Sequence, residues 1–142
     1  MTNESINHEF DFWLGDWDVY WEDKHGTNRI ERILDGAVIQ ENFEGDGLIG
    51  MSVSIFSKED DRWHQTWVDN TGSYLDFVGD FADGKMILSR NGIVAGKPVK
   101  QRMVWYNIST EAFLWNWERS EDGVSWHELW KLEYKRKTIP GV

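Results

Sequence analysis

The chain of 142 residues contains no cysteine. That excludes a disulfide framework and any thiolate-bound metal centre. Proline is nearly absent: Pro98 and Pro140 are the only two, so almost nothing interrupts strand pairing. No apolar run approaches the roughly 20 residues that a membrane-spanning helix needs. Positive charge is scarce, with 15 Lys and Arg against 25 Asp and Glu and a net charge of −10. Nucleic-acid-binding surfaces are basic because they displace counterions from phosphates, and anionic membranes attract the same basic segments. Neither partner is expected. The start MTNESINHEF has no basic stretch followed by an apolar one, so no secretory leader is expected and the expected location is the cytoplasm.

What the chain has instead is tryptophan, ten in all. The indoles recur at spacings of two or four: Trp13 and Trp17, Trp17 and Trp21, Trp63 and Trp67, Trp115 and Trp117, Trp126 and Trp130. Side chains alternate across a pleated backbone, so such spacings put both rings on one face of a strand. A small closed β-structure uses that many large rings to fill its interior or to line it for a ligand.

The apolar period is close to two through most of the chain, which is the strand signal. Residues 5–14 read as a short helix or irregular lead-in, with Ser5 as its cap. Strand-like segments follow at 16–24, 29–35, 37–45, 48–57, 62–69, 73–82, 85–90, 99–108, 112–119 and 125–136. HGTN at 25–28, Asp35-Gly36, Asp83-Gly84 and Asn91-Gly92 supply turn signals between them. In Ser120-Glu121-Asp122-Gly123, Asp122 is expected to bond turn amides and Gly123 to take a positive φ. Ten strands on short loops describe an up-and-down meander, and closure into a barrel removes its two exposed edges. No repeat, linker or shift in composition divides the chain. It is read as one all-β domain over 1–142, with a lead-in and short helix at 1–14 and a barrel at 15–137.

Gly15-Asp16-Trp17, just after the lead-in, resembles the G-x-W signature of the calycins, which include lipocalins, fatty-acid-binding proteins and nitrobindin-like barrels. The run FDFWLGDWDVYW, the segment WHQTWVDNTG with FVGDF after it, and the ending WERSEDGVSWHELWKLEYKR together resemble a bacterial family of small lipocalin-like domains of unknown function, over roughly residues 10–136. The resemblance implies a closed barrel whose Trp17 plugs one end. It implies a structural role for a basic residue stacked on that ring, here Arg136. It also implies haem, bound by a single histidine in nitrobindin-like barrels, as one alternative ligand.

Of the four histidines, His8, His25, His64 and His127, no two have metal-site spacing, so no metal or other cofactor is expected. Alternation turns His64 and His127 away from the faces that carry Trp63, Trp67, Trp126 and Trp130. Ser52 and Ser54 share a face but have no elbow motif or paired base and read as space-fillers. Carboxylates are the catalytic candidates. Glu41 lies on one face with Ile39 and Phe43, and Glu128 stands between Trp126 and Trp130; Asp76 lies between Tyr74 and Val78. A carboxylate on an apolar face finds a partner or raises its pKa, and Arg32 on the preceding strand is the expected ion-pair partner of Glu41. Arg90 shares a face with Met86 and Leu88 and is the candidate for meeting a ligand carboxylate. Gln65, Trp67, Met103, Trp105, Trp115, Trp117 and Trp130 form the expected lining, suited to a small flat organic molecule. The expected function is small-molecule binding. An enzyme using Glu41 or Glu128 as acid or base, and a homodimer built on outer-face aromatics, stand beside it.

Overall fold

A computed structural model of the chain describes residues 6–138. Ten antiparallel strands run β1 (Gly15–Trp21), β2 (Lys24–Ile33), β3 (Val38–Gly45), β4 (Leu48–Ser57), β5 (Arg62–Asp69), β6 (Tyr74–Ala82), β7 (Lys85–Val94), β8 (Lys97–Tyr106), β9 (Ala112–Ser120) and β10 (His127–Arg136). Each pairs with its neighbours in sequence, and β10 returns to β1 through Trp17–Tyr20 against Glu133–Arg136. The result is the closed up-and-down barrel, an architecture consistent with a calycin-like fold.

The expected N-terminal helix is only a single 3-10 turn, Asp11–Trp13; Ser5 lies outside the described residues. The turn has a packing role. Phe10 stacks on Trp13 at 4.6 Å between centroids and meets Trp63 and Trp105 edge-on at 5.2 and 5.1 Å. These rings are fully buried or nearly so and plug one end of the barrel. Each well-oriented aromatic pair adds about 0.5–1.5 kcal/mol beyond area burial. Trp17 lies in the same layer. Its Nε1 donates to the Trp13 carbonyl at 2.8 Å, and the Arg136 guanidinium covers its ring at 4.2 Å. Arg136 also donates from Nη1 to the Leu14 carbonyl and from Nε to the Thr110 carbonyl, tying lead-in, wall and the β8–β9 loop together.

Two turns fall elsewhere than expected. HGTN is strand, and the chain reverses at Glu22-Asp23. Asn91-Gly92 is also strand, and β7 runs on to Val94 before turning at Ala95-Gly96. Both misleading glycines serve close approach. A Cβ on Gly26 would stand 2.7 Å from the Glu44 carbonyl oxygen and 3.2 Å from the Trp21 ring, and one on Gly92 would strike the Gln101 and Arg90 side chains. At the Ser120–Gly123 loop the expectation is met. Asp122 accepts from the Val124 and Ser125 amides, and Gly123 has φ 79°.

Strict alternation fails once, in β10. Glu128 pairs with Glu118 while Trp130 pairs with Trp117, so Leu129 is an extra residue in the ladder. A bulge of this kind reverses the facing of everything beyond it. Trp130 therefore points inward, edge-on to Trp21 and Trp115, while Trp126 lies outside under the Arg102 guanidinium at 4.0 Å.

The β6–β7 ladder is short. It joins Val78–Ala82 to Lys85–Ser89, and the half-strands Tyr74–Phe77 and Arg90–Val94 are not paired with each other.

Candidate functional site

The inner face above the plug opens into a cavity of about 150 Å³. Its mouth lies at the end opposite the N-terminal turn, among the loops that follow β1, β3, β5, β7 and β9. The walls carry Trp67, Trp115, Trp117 and Trp130, all partly exposed, with Leu48, Asp69 and Leu75. The floor carries buried Phe43, Phe77, Met103, Leu132 and Tyr134, and one buried carboxyl, Glu41. Trp67 lies flat across Gly50, where a Cβ would come within 2.3 Å of the indole. Its Nε1 donates to Asp69 at 2.8 Å, which fixes the ring.

Glu41 is 7 % exposed. One carboxyl oxygen accepts from Ser52 Oγ at 2.7 Å and the other from Asn28 Nδ2 at 2.6 Å. The same Asn28 nitrogen donates to Tyr134 Oη at 2.9 Å. Desolvation pushes the Glu41 acid above its ordinary value, opposed only in part by the two hydrogen bonds. Desolvation, with the Glu41 charge second, likewise pushes the Tyr134 phenol well up. The Asn28 carbonyl oxygen has no donor among the described residues. Turning that amide by half a rotation offers the oxygen to a protonated Glu41, so the cluster can satisfy the acid in either charge state. Asp69 at the mouth is the opposite case. Partial burial raises it, but hydrogen bonds from Thr71, Trp67 and two backbone amides outweigh that and hold it down at about 2.

Glu41, Trp67, Met103, Trp115, Trp117 and Trp130 of the expected set thus share one cavity. The others lie elsewhere. Arg32 does not reach Glu41; it donates to the Asp11 carboxylate and to the Gly36 and Asn7 carbonyls below the plug. Trp105 belongs to the plug, edge-on to Trp13. Gln65 is buried between plug and cavity, donating to Ser54 Oγ at 2.9 Å. Arg90 donates to Gln101 on the neighbouring strand and does not line the cavity. Glu128 is on the outer wall with 48 % of its side chain exposed, beside Lys131 and Asn116. That position removes it as a cavity acid. Asp76 is also outside, accepting from Thr66.

Sequence reading missed Asn28 and Ser52 as the holders of Glu41, and Tyr134 and Asp69 as lining. Asn28 was hidden inside the supposed turn at 25–28. Tyr134 follows Leu132 at strand spacing and could have been placed inward by the same alternation that placed the indoles.

Haem does not fit this site. His25 and His64 lie on the outer wall and His8 in the lead-in, each beside an aspartate; His127 is exposed, and none of the four lines the cavity. Among the described residues no group of three potential metal ligands comes together. Comparison with protein-family models and with curated proteins finds no match.

Proposed function

We propose that the chain is a calycin-type binding protein that holds a small apolar or aromatic molecule in the mouth of its barrel. The observation that carries this reading is the cavity itself: four indoles around about 150 Å³ of space with a single polar spot at the floor. An apolar cavity of that size elsewhere accepts benzene, so the ligand has one ring or a short chain. A fold that needed the indoles only as filler would pack to native density and leave no such space.

Tryptophan emission reports the test directly. Titration with toluene, benzyl alcohol, indole and short-chain alcohols is expected to shift or quench emission saturably and to raise the melting temperature. Ligand at about one hundred times its dissociation constant stabilises by about 2.7 kcal/mol. No change in emission or melting with any of the panel overturns the reading.

A second reading is favoured by one observation: Glu41 reaches the cavity with its acid held above the ordinary value. A carboxyl so placed suits general acid–base work on a bound substrate, in a lyase, isomerase or hydrolase step without a cofactor. In that case Glu41→Gln abolishes turnover. The proposed setting is the cytoplasm. A homodimer would rest on the exposed outer row Ile49, Met51, Val53 and Ile55 of β4, and sedimentation showing only monomer at high concentration removes it.

A further inference from the structure

We propose that the ligand of this cavity is a small organic cation, an aryl- or alkylammonium whose charged head sits against Glu41 and whose apolar body lies among the indoles. The proposal rests on the binding reading above and names the chemistry of its ligand.

The charges of the lining carry the argument. Glu41 at the floor and Asp69 at the mouth are the two charged residues among those that line the space. No lysine, arginine or histidine among the described residues lines it. Arg32 serves Asp11 and Arg136 covers Trp17. Arg90 and Arg119 hold the inner-face register one rung nearer the rim than Leu88 and Trp117, where Arg90 donates to Gln101, and neither lines the space. Glu41 is held by two neutral donors, Ser52 and Asn28. A carboxylate has about four acceptor positions, so two remain for a ligand. A buried acid without a cation is paired or neutralised, and this one lacks a protein cation among the described residues.

The rest of the site fits the same occupant. Indole faces carry negative π density and attract ammonium groups. An anionic head at the floor would meet Glu41 with no cation among the lining residues. A neutral ligand would use the walls and gain nothing from the charge of the floor carboxyl. The net charge of −10 raises the local concentration of cations at the mouth. Desolvation holds the Glu41 acid up; an ammonium beside it favours the ionised form, so any proton exchanged on binding is released. The groups facing that carboxyl are Asn28 on β2, Ser52 on β4 and Tyr134 on β10, of which only Tyr134 titrates, and it is held neutral by its own burial.

Benzylamine, benzyl alcohol and benzoate present the same ring with a positive, neutral and negative head. Calorimetric titration of the wild-type chain is expected to rank them in that order, with benzylamine about tenfold tighter than benzyl alcohol. Repeating the benzylamine titration in two buffers of different ionisation enthalpy is expected to show proton release, and benzyl alcohol none. In Glu41→Gln the ratio between amine and alcohol falls to about one. If benzyl alcohol binds as tightly as benzylamine, or if the preference survives Glu41→Gln, the cation proposal fails while the binding reading stands. If none of the three binds, both fail. The wild-type ranking decides the matter even if the variant does not fold.

Discussion

Glu41 makes the protein's stability depend on pH in an unusual direction. Its ordinary value is 4.5 and its folded value is raised, by desolvation first. Between those two values the folded chain binds more protons than the unfolded chain. Stability contributed by this residue is therefore full below 4.5 and declines as pH rises through the window. Carboxylates held by an ion pair or by several donors, such as Asp69, act in the opposite sense. Glu41→Gln reproduces the shape of the protonated acid, so it is expected to flatten this decline. At pH 8 it is expected to be more stable than wild type, and at pH 4 no more stable. Urea denaturation at pH 4, 6 and 8 measures it; an equal decline in both proteins contradicts it. Arg136 is the complementary case at the closed end. Arg136→Ala removes a cation–π contact and two hydrogen bonds to carbonyls and is expected to cost about 2–3 kcal/mol in the same assay. Arg136→Lys recovers only part, because an ammonium cannot span both carbonyls in a planar fork. At this scale the sequence was a fair guide to indoles and a poor one to charges. Where Glu41 sits followed from its apolar neighbours, whereas its partners lay on other strands, beyond the reach of local pattern.

Strand existence was legible in all ten elements because the apolar period of two is strong wherever one face is buried. Strand ends were less so, and the reason is specific to glycine. Asp46-Gly47 and Asp83-Gly84 are two-residue reversals in which both residues have positive φ, as the favoured hairpin turns require. Gly26 and Gly92 look alike in sequence but are small because something presses on them. No local pattern separates a glycine that must bend from one that must make room. Ala95 marks the converse. It holds φ 51° at the first position of its reversal, ahead of Gly96, where a turn-forming residue is missing. Ala95→Asn is expected to stabilise by roughly 0.5–1 kcal/mol, since asparagine tolerates that conformation; a lower denaturation midpoint overturns the account. Gly50→Ala is expected to push Trp67 off the wall, with a shifted emission maximum and a loss of about 1–3 kcal/mol. The inserted Leu129 explains the largest misplacement. One residue set Glu128 and Trp130, both even-numbered, on opposite sides of the wall.

At the scale of the whole molecule, closure lets each strand pair on both sides, and the lead-in turns a tube into a cup. Phe10 and Trp13 have no exposed surface, so the segment is part of the core although it is scarcely helical. Removing residues 1–14 uncovers Trp17, Trp63 and Trp105 and is expected to lower the melting temperature by at least 10 °C and to create binding of an apolar dye such as ANS. An unchanged melting temperature would show that the plug is ornamental. That the chain closes was legible from strand count and loop length; that its N-terminus forms the base was not, because residues 5–14 carry no period that says where they pack.

The short β6–β7 ladder has its own consequence. Between Tyr74–Phe77 and Arg90–Val94 the wall lacks the rungs that knit it elsewhere. Backbone amides that point across this seam have no carbonyl opposite them, so in heavy water they will trade hydrogen for deuterium well ahead of the rest of the barrel. The same seam is where the staves of the wall part with the fewest bonds to break.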